Sequence, residues 1–462
     1  MAGSGTYISF DKERVGVYTK FVAKKPSDFI NADTTGIVSI GLPMDWGKDG
    51  DITEVLGTDI ENGNCLSKIG YSLQDEEILP YRLALHSAYK AYFYKLNSGG
   101  VKASATVGDI NIEAVNTGIA GNNIKVVITA NTPTAGRFMV DVYYKGSKRE
   151  TYYVSTPEEL FALQSAWVVF TSNEASPTIT ATEGATLANG TNGTIAANAY
   201  ENFGKAIRYK LYDYLAVSGT DTTATDWVVE FVNKEITRGK YVSGVVYNKP
   251  LLNNKYVISV DQGLECEGFT ITTALMPIFV ASLRAGCGLG QNLDNHDMLE
   301  EVGAIKIINE VEDDDNAVIA KLNQGCFFFV YLNDGTVVVE EDINTFVEFS
   351  QNDPADYRRN RLIATQNYIG NHIYLFQNKQ VLAKSMADDD SQVTRGLIKS
   401  DIDTVCSELF DKNVIRNYNP VTDIKVDNVE GKKSELVTMT NLEYLDSLRK
   451  IYNEFTIVLE RG

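Results

Sequence analysis

Residues 200–248, YENFGKAIRYKLYDYLAVSGTDTTATDWVVEFVNKEITRGKYVSGVVYN, decide the fold class. Their pattern predicts a helical stretch over 200–217, a second helix over 225–238 and a strand over 241–248. Earlier in the chain, GIVSIGL at 36–42 is a short apolar run bounded by turn residues, which predicts a buried strand. Alternating helices and strands are typical of a mostly parallel sheet. We therefore expect an α+β or α/β multidomain protein whose mixed sheets are flanked by helices.

The composition changes between residues 99 and 199, where Thr, Asn, Gly, Ala and Val dominate. Alternating apolar runs at 124–130 and 137–144 predict strands, so this segment is expected to be a β-rich inserted domain. One helix is expected inside it, over 155–166, because Thr156, Pro157 and Glu159 form a capping box with proline at the first helical position. Just before the insertion, LPYRLALHSAYKAYFYKL at 79–96 predicts a helix.

Four further elements are expected in the last third of the chain. Residues 313–325 predict a short helix, and 326–346 predict a hairpin that turns at Asp334-Gly335. Residues 353–373 predict an amphipathic helix. A last helix is expected to begin at Thr440, which forms a capping box with Glu443, and the closing strand follows it.

Charge and composition exclude several partners. The chain has 462 residues and a net charge of −19, so it repels phosphate backbones and anionic lipid, and we expect neither nucleic acid nor membrane as a partner. The longest apolar stretch, at 271–283, is far shorter than the roughly 20 residues that span a bilayer. The beginning of the sequence carries no apolar signal segment, so folding in a reducing cytosol is expected.

The sequence supplies no catalytic, cofactor or metal constellation. The five cysteines are scattered and the three histidines stand alone, which disfavours zinc sites and Ser-His designs. GCGLGQ at 286–291 lacks the spacing of a dinucleotide loop, and EGKKS at 430–434 lacks the upstream glycine of a phosphate loop. The acidic runs at 312–315 and 388–390 lack calcium-loop spacing. An enzyme is therefore disfavoured, with no cofactor and no metal expected.

Both ends of the chain carry alternating apolar residues where most chains fray. These residues are Ile8, Phe10, Val15, Val17 and Tyr18 near the beginning and Phe455, Ile457 and Leu459 near the end. A donated five-residue strand buries two or three apolar side chains, worth roughly 1.5–3 kcal/mol each, against an ordering cost of about 1–2 kcal/mol per residue. Because these free energies nearly cancel, we expect each arm to need an acceptor sheet. Edge strands on the chain's own domain are the alternative.

Several motifs, taken in their order along the chain, resemble the contractile tail sheath proteins of phages and phage-tail-like bacteriocins. They are VGVYTKFVAKK (15–25), TTGIVSIGLPMDWG (34–47), AYKAYFYKLNSGGVKASATV (88–107), GIAGNNIKVVI (118–128), TLANGTNGTIAANAYENFGKAI (186–207), LNDGTVVVEEDINTFVEF (332–349) and RRNRLIATQNYIGNHI (358–373). In the fifth motif, Asn189 and Asn192 stand where the family has a Gly and an Asp.

The resemblance implies a structural subunit that stacks as helically arranged hexameric rings around an inner tail tube and contracts to drive the tube through a cell envelope. Baseplate and tail terminator proteins are the further implied partners, and the implied location is the tail of a virion or phage-tail-like particle, after synthesis in a bacterial cytoplasm. The implied organisation places linking arms at 1–25 and 453–462, a discontinuous core at 26–98 and 200–345, the outward-facing insertion at 99–199 and an inner domain at 346–452.

A basic cluster lies at the start of the predicted inner domain. Since that domain lies innermost in the family, Arg358, Arg359 and Arg361 are expected to face acidic groups on the tube. Solvated charge, or ion pairs with Asp353 and Asp356, is the alternative. For the whole chain, the alternatives are a non-contractile structural protein of the same particle, a surface-layer protein, and an α/β ligand-binding enzyme.

Overall fold

The computed structural model describes residues 3–5, 16–18, 36–130, 136–312, 314–351, 353–380, 392–430 and 435–445. In these ranges the helices are α1 (Gly57–Glu61), α2 (Leu66–Ile69), α3 (Leu79–Ala84), α4 (Pro157–Phe161), α5 (Ala199–Ile207), α6 (Thr222–Thr237), α7 (Met276–Gly286), α8 (Met298–Val302), α9 (Asp315–Asn323), α10 (Asn360–Gln380), α11 (Gln392–Asp411) and α12 (Pro420–Asp423).

The strands of the first half of the chain are β1 (Gly3–Gly5), β2 (Gly16–Tyr18), β3 (Ile37–Leu42), β4 (Ile52–Leu56), β5 (Lys90–Lys95), β6 (Asn97–Ser98), β7 (Lys102–Val107), β8 (Ile110–Thr117), β9 (Ile124–Thr129), β10 (Phe138–Tyr144), β11 (Ser147–Val154), β12 (Val168–Thr171), β13 (Thr182–Thr186), β14 (Thr194–Ile195) and β15 (Tyr214–Val217). Those that follow are β16 (Ser243–Tyr247), β17 (Val257–Val260), β18 (Gly263–Cys266), β19 (Phe269–Ile271), β20 (Ala304–Ile308), β21 (Phe329–Tyr331), β22 (Val337–Val339), β23 (Ile415–Arg416), β24 (Ile424–Asn428), β25 (Leu436–Thr440) and β26 (Glu443–Tyr444).

A six-stranded sheet in the order β17-β16-β15-β3-β5-β4 forms the centre of the fold. Every neighbouring pair is parallel except β4 and β5, which confirms the expected mostly parallel sheet. Helices α5 and α6 pack on one face through Phe203 and Val232, and α7 packs on the other through Phe279. Buried on both faces, β15 and β3 read as continuous apolar runs because no residue faces water.

The helix expected over 79–96 is wrong in its second half. Helix α3 ends at Ala84, and Lys90–Lys95 is the strand β5, which lies between β3 and β4. Alternate side chains of β5 enter different cores: Ala91 and Phe93 face α7, whereas Tyr92 and Tyr94 face α5 and α6. Burial on two faces favours aromatic residues in a strand, and this tertiary effect overrides the local helical pattern.

The inserted segment contains two antiparallel sheets around one shared core. The sheets are ordered β11-β10-β9-β13 and β12-β8-β7, and they confirm the strands expected at 124–130 and 137–144. Helix α4 begins as expected: Thr156 Oγ1 accepts a hydrogen bond from the Glu159 amide. Glu159 reaches the amide of Ser155 at 2.7 Å rather than that of the cap residue, and the helix ends early, at Phe161.

The insertion is joined to the core by buried side chains from before residue 99. Trp46 is fully buried in the core of the insertion, and its indole N–H donates to the Ser67 carbonyl at 2.8 Å. Tyr144 donates back to the Gly70 carbonyl at 2.5 Å. Lys95, 1% exposed, donates to the Thr117 carbonyl at 3.0 Å and pairs with Asp49 at 3.2 Å. Polar and apolar contacts therefore fix the insertion on the core.

The last described part of the chain packs α10 and α11 against short strands. Ile402, Val405 and Leu409 of α11 form its core with Ile415 and Ile424. The helix expected to begin at Thr440 is wrong over the described residues, because Thr440 ends β25 and Glu443 lies in β26 opposite Arg416. The Glu443 carboxylate bonds to Arg416 and Asn417 instead of capping a helix. Tertiary pairing of β23 with β26 has overridden the local capping signal.

Candidate functional site

The N-terminal arm contains the short strands β1 and β2, which form a unit of their own within Met1–Thr35. They pair in parallel, with Ser4 opposite Val17 and Gly5 opposite Tyr18. A parallel pair of three residues is only marginally stable by itself. Whether Val17 and Tyr18 bind a neighbouring subunit stays a prediction. The other arm residues lie outside the described ranges: Ile8, Phe10, Val15, Phe455, Ile457 and Leu459.

The hairpin β24–β25 has the properties of a strand acceptor. Its strands pair antiparallel with Val426 opposite Thr438, and within the described residues neither strand has a second partner. Ile424 anchors one face of the hairpin in the core beside α11, whereas Val437 and Met439 are 41% and 53% exposed. Free backbone N–H and C=O groups beside apolar side chains are what an added strand requires. The hairpin is therefore a candidate interface for an extended arm.

The arginine cluster is engaged within the chain. Arg358 donates to the Leu322 carbonyl near the end of α9, where a cation favours the helix dipole. Arg359 lies 3.6 Å from a carboxylate oxygen of Asp294 and 3.7 Å from one of Glu341. Arg361 donates to the carbonyls of Gly290 and Leu445. All three side chains are half-buried, and Asp353, one of the alternative partners, pairs with Lys255 at 3.4 Å.

The segment that carries these arginines is held by backbone and amide contacts. The Asn344 N–H donates to the Arg358 carbonyl at 2.9 Å, and the Asn360 side chain donates to Asp342 at 2.8 Å. Asn371 of α10 bonds both backbone groups of Tyr241, which precedes β16. These contacts place α10 against the amino end of the central sheet, so its position is fixed by the core. Whether the cluster faces a tube stays a prediction.

Two histidines that are far apart in sequence share one carboxylate. His86 Nε2 lies 2.6 Å from one oxygen of Glu301, and His296 Nε2 lies 2.8 Å from the other. Partial burial acts to raise the pKa of Glu301, but the hydrogen bonds from His296 and His86 outweigh it and hold this pKa below its usual value. Sequence reasoning treated these histidines as isolated and missed the cluster, because 215 residues separate His86 from Glu301.

The thiols are protected by burial. Burial raises the pKa of Cys266, Cys326 and Cys406 to about 11, so these side chains stay protonated and unreactive at neutral pH.

Across the described ranges, no group of three or more His, Cys, Asp or Glu side chains is placed to hold a metal ion. Every helix of the described chain is too short or too polar to cross a membrane.

Comparison with known proteins agrees with the resemblance seen in the motifs. Residues 352–458 match the family model of the phage tail sheath C-terminal domain. The chain is 25% identical over 465 residues to the phage-like element PBSX protein XkdK of Bacillus subtilis, covering 96% of this chain and 97% of that protein.

Solved structures share the fold over nearly the whole length. The crystal structure of a sheath tail protein from Desulfitobacterium hafniense is 26% identical, with a TM-score of 0.71, and the match covers 93% of this chain and all of that one. The helical sheath of the anti-feeding prophage in its contracted state is 12% identical, with a TM-score of 0.54, over 96% of this chain and 98% of that one, which shows a shared fold. The motifs, the match over residues 352–458 and the shared fold therefore agree in their similarity to contractile phage tail sheath proteins.

Proposed function

We propose that the chain is the structural subunit of a contractile tail sheath, which stacks as helically arranged hexameric rings around an inner tube and contracts to drive the tube through a target envelope. The observation that carries the proposal is the full-length match to a sheath tail protein at a TM-score of 0.71. The proposed role is structural rather than catalytic. The proposed partners are further copies of this chain, the tube protein, the baseplate and the tail terminator, in the tail of a phage or phage-tail-like particle.

We propose that strand exchange between subunits keeps the sheath polymer connected. The arm at 453–462 carries alternating apolar residues, and the exposed hairpin β24–β25 has free edges among the described residues. A donated strand gains hydrogen bonds from the acceptor without opening the acceptor's fold. Since apolar burial and ordering nearly cancel for such a short arm, the acceptor's hydrogen bonds decide its position.

We propose that Arg358, Arg359 and Arg361 face the tube, and the alternative is that they only stabilise the fold of their own subunit. Their contacts to Leu322, Asp294 and Leu445 would be lost on charge reversal, which would destabilise the fold directly. The proposal therefore requires that reversal abolish tube-templated assembly at moderate salt in a variant that still folds, as its circular dichroism shows, and unchanged assembly would remove it. A lowered unfolding temperature with the same assembly would assign the cluster a purely structural role.

Deletion of residues 453–462 tests the strand exchange. We expect the full chain to form tubes or rings by negative-stain electron microscopy, and the deletion variant to remain a folded monomer of unchanged circular dichroism. A variant that replaces Phe455, Ile457 and Leu459 with serine should behave like the deletion. The matched control replaces Thr456 and Val458, which alternate with them, and should assemble better than the triple variant.

Normal sheaths from the deletion variant would refute strand exchange through the C-terminal arm. If the full chain itself gives only small discrete oligomers under all assembly conditions, the sheath function is refuted instead. The two failures are distinguishable because they occur in different variants.

A further inference from the structure

The last turn of helix α5 and the exposed loop that follows it carry three cations and two large side chains. Lys205, Arg208 and Lys210 are exposed, Tyr209 is 89% exposed and Leu211 is 43% exposed. We call residues 205–211 the basic loop. Arginine and tyrosine are enriched in the central residues of protein interfaces. Such a surface stands out in a chain whose net charge is −19.

The cations of this loop have no carboxylate partner within the described structure, whereas their neighbours do. Lys240 pairs with Glu235 at 3.4 Å and donates to the carbonyls that end α5, and Lys90 pairs with Glu54 at 3.5 Å. For Lys205, Arg208 and Lys210, no carboxylate of the described residues lies within ion-pair distance. Lys210 lies 5.6 Å from the Tyr92 ring, a contact that leaves its charge available. The loop therefore presents uncompensated positive charge to solvent.

The fold places the basic loop at the amino ends of the parallel strands. The loop leads into β15, and Asp213, at the start of that strand, accepts hydrogen bonds from Gly36 and Ile37 at the start of β3. The Ser243 N–H, at the start of β16, donates to the Asp213 carbonyl at 2.9 Å. The amino ends of three strands thus meet beside the loop.

The carboxyl end of the same sheet carries the opposite charge. The segment between β20 and α9 exposes Glu310, Glu312 and Asp315, and Ile319 on α9 is 53% exposed beside them. We call these four residues the acidic face. The residues on either side of the acidic face contact Asp261, which lies one residue beyond β17. Asn309 donates to the Asp261 carbonyl at 3.0 Å, and Lys321 pairs with the Asp261 carboxylate at 2.7 Å. Within the described residues, no cation pairs with Glu310, Glu312 or Asp315.

We infer that the basic loop binds the acidic face of a neighbouring copy of this chain, in a head-to-tail contact between subunits. The two surfaces are complementary in charge, and each adds an aliphatic side chain, Leu211 on one and Ile319 on the other. They lie at opposite ends of strands about 15 Å long, so one molecule cannot join its own two surfaces. A contact between two different patches repeats from copy to copy and builds a ring if its rotation closes, or an open helical polymer if it does not. This inference rests on the proposed sheath function.

A charge swap between the two surfaces tests this contact. One variant carries Lys205→Glu, Arg208→Glu and Lys210→Glu, a second carries Glu310→Lys, Glu312→Lys and Asp315→Lys, and a third carries all six changes. We expect each single-surface reversal to raise the concentration needed for polymerisation by about tenfold or more, since it removes the attraction of several exposed pairs and adds repulsion. The six-fold swap should restore assembly, because every pair regains opposite charge.

The matched control reverses three other exposed cations, Lys48, Lys125 and Arg149, with the same change in net charge. It should assemble like the wild-type chain, and all variants should give the circular dichroism of the wild type. If the basic-loop reversal misfolds, the neutral set Lys205→Gln, Arg208→Gln and Lys210→Gln replaces it, with a smaller loss expected.

Unchanged assembly of the basic-loop reversal, or a swap that fails to restore assembly, would overturn the inference. Either result leaves the sheath function intact, provided that the wild-type chain forms sheaths in the same experiment. Absence of sheaths from the wild-type chain would instead remove the proposed function.

Discussion

The guanidinium of Arg284 and the carboxylate of Asp342 lie 2.6 Å apart, and both side chains are fully buried. Arg284 lies in α7 on the central sheet, and Asp342 follows the hairpin β21–β22. Burial acts to lower the pKa of Arg284, but the charge of Asp342 outweighs it and raises this pKa, so the guanidinium stays charged. Asp342 also accepts hydrogen bonds from the Leu293 N–H at 3.2 Å and from the Asn360 side chain at 2.8 Å. One carboxylate thereby joins the central layer to the first turn of α10.

Removing the cation of this pair should strongly destabilise the chain. We expect Arg284→Met to lower the free energy of unfolding by about 3–5 kcal/mol, because Asp342 is left as an uncompensated buried charge. Urea unfolding followed by tryptophan fluorescence measures the loss. The double variant Arg284→Met/Asp342→Leu should recover part of it. The exposed pair Lys306–Glu265 is the control, since Lys306→Met should cost less than about 1 kcal/mol. Equal losses for Arg284→Met and Lys306→Met would contradict this account.

Trp46 should determine how firmly the insertion is held. Its ring lies 5.7 Å from that of Trp167 and is fully buried within the core of the insertion. We expect Trp46→Ala to cost about 3–5 kcal/mol, since it leaves a large cavity between the two layers. Limited proteolysis should then cut near residue 99 or 199 faster than in the wild type. Tyr209→Ala, which removes a ring that is 89% exposed, is the control and should leave proteolysis unchanged. A Trp46→Ala chain as resistant as the wild type would show that other contacts hold the insertion.

Gly118 should tolerate no side chain. Its φ is +129°, and a Cβ at this position would lie 1.8 Å from the Asp45 carbonyl oxygen, so the backbone of the junction would have to move. We expect Gly118→Ala to lower the unfolding midpoint markedly, with a cost of about 1–3 kcal/mol or more from the strained conformation and the clash. Differential scanning calorimetry measures the shift. Gly146→Ala is the matched control, because its φ is also positive but no atom lies within 4 Å of the added Cβ. Equal shifts for Gly118→Ala and Gly146→Ala would show that the close approach to Asp45 does not contribute to the loss of stability.

His372 should make the stability depend on pH below neutrality. Burial lowers its pKa, and although the hydrogen bond to the Tyr368 carbonyl at 2.8 Å and the charges of Glu408 and Asp213 act in the opposite direction, the net pKa is lowered. The unfolded chain then binds a proton near pH 6.5 that the folded chain does not, so stability is lost as the pH falls through about 6.5. The slope from this group is at most about 1.4 kcal/mol per pH unit.

His372→Gln tests this dependence by urea unfolding between pH 7 and pH 5, and it should flatten the decline relative to the wild type. Tyr374→Phe, at a 56% exposed position of the same helix α10, is the control and should leave the decline between pH 7 and pH 5 unchanged. An unchanged slope for His372→Gln would show that His372 titrates alike in both states.

Local sequence signals determined two strands of the central sheet, β3 and β16, two strands of the insertion, β9 and β10, and the cap of α4, whereas β15 lies inside the stretch 200–217 that was expected to be helical. GIVSIGL and YVSGVVYN are buried on both faces, so a strand of a parallel sheet shows as a continuous apolar run, and Thr156 caps its helix through contacts only three residues away. The ordered motifs also indicated the sheath family, since their order survives where no single motif is specific.

Tertiary structure alone decided the rest. The stretch at 90–95 has a helical pattern nearby, yet it forms β5 because two cores take its alternate faces. For Arg358, Arg359 and Arg361 the sequence suggested a tube surface, solvated charge or nearby ion pairs, whereas carbonyls and carboxylates distant in sequence bind them. The Arg284–Asp342 pair and the opposed basic loop and acidic face depend on the same long-range pairing of strands. Contacts between residues so far apart in sequence produce no periodic pattern in the chain. They depend on how the strands of the sheet are arranged in space, not on neighbouring residues.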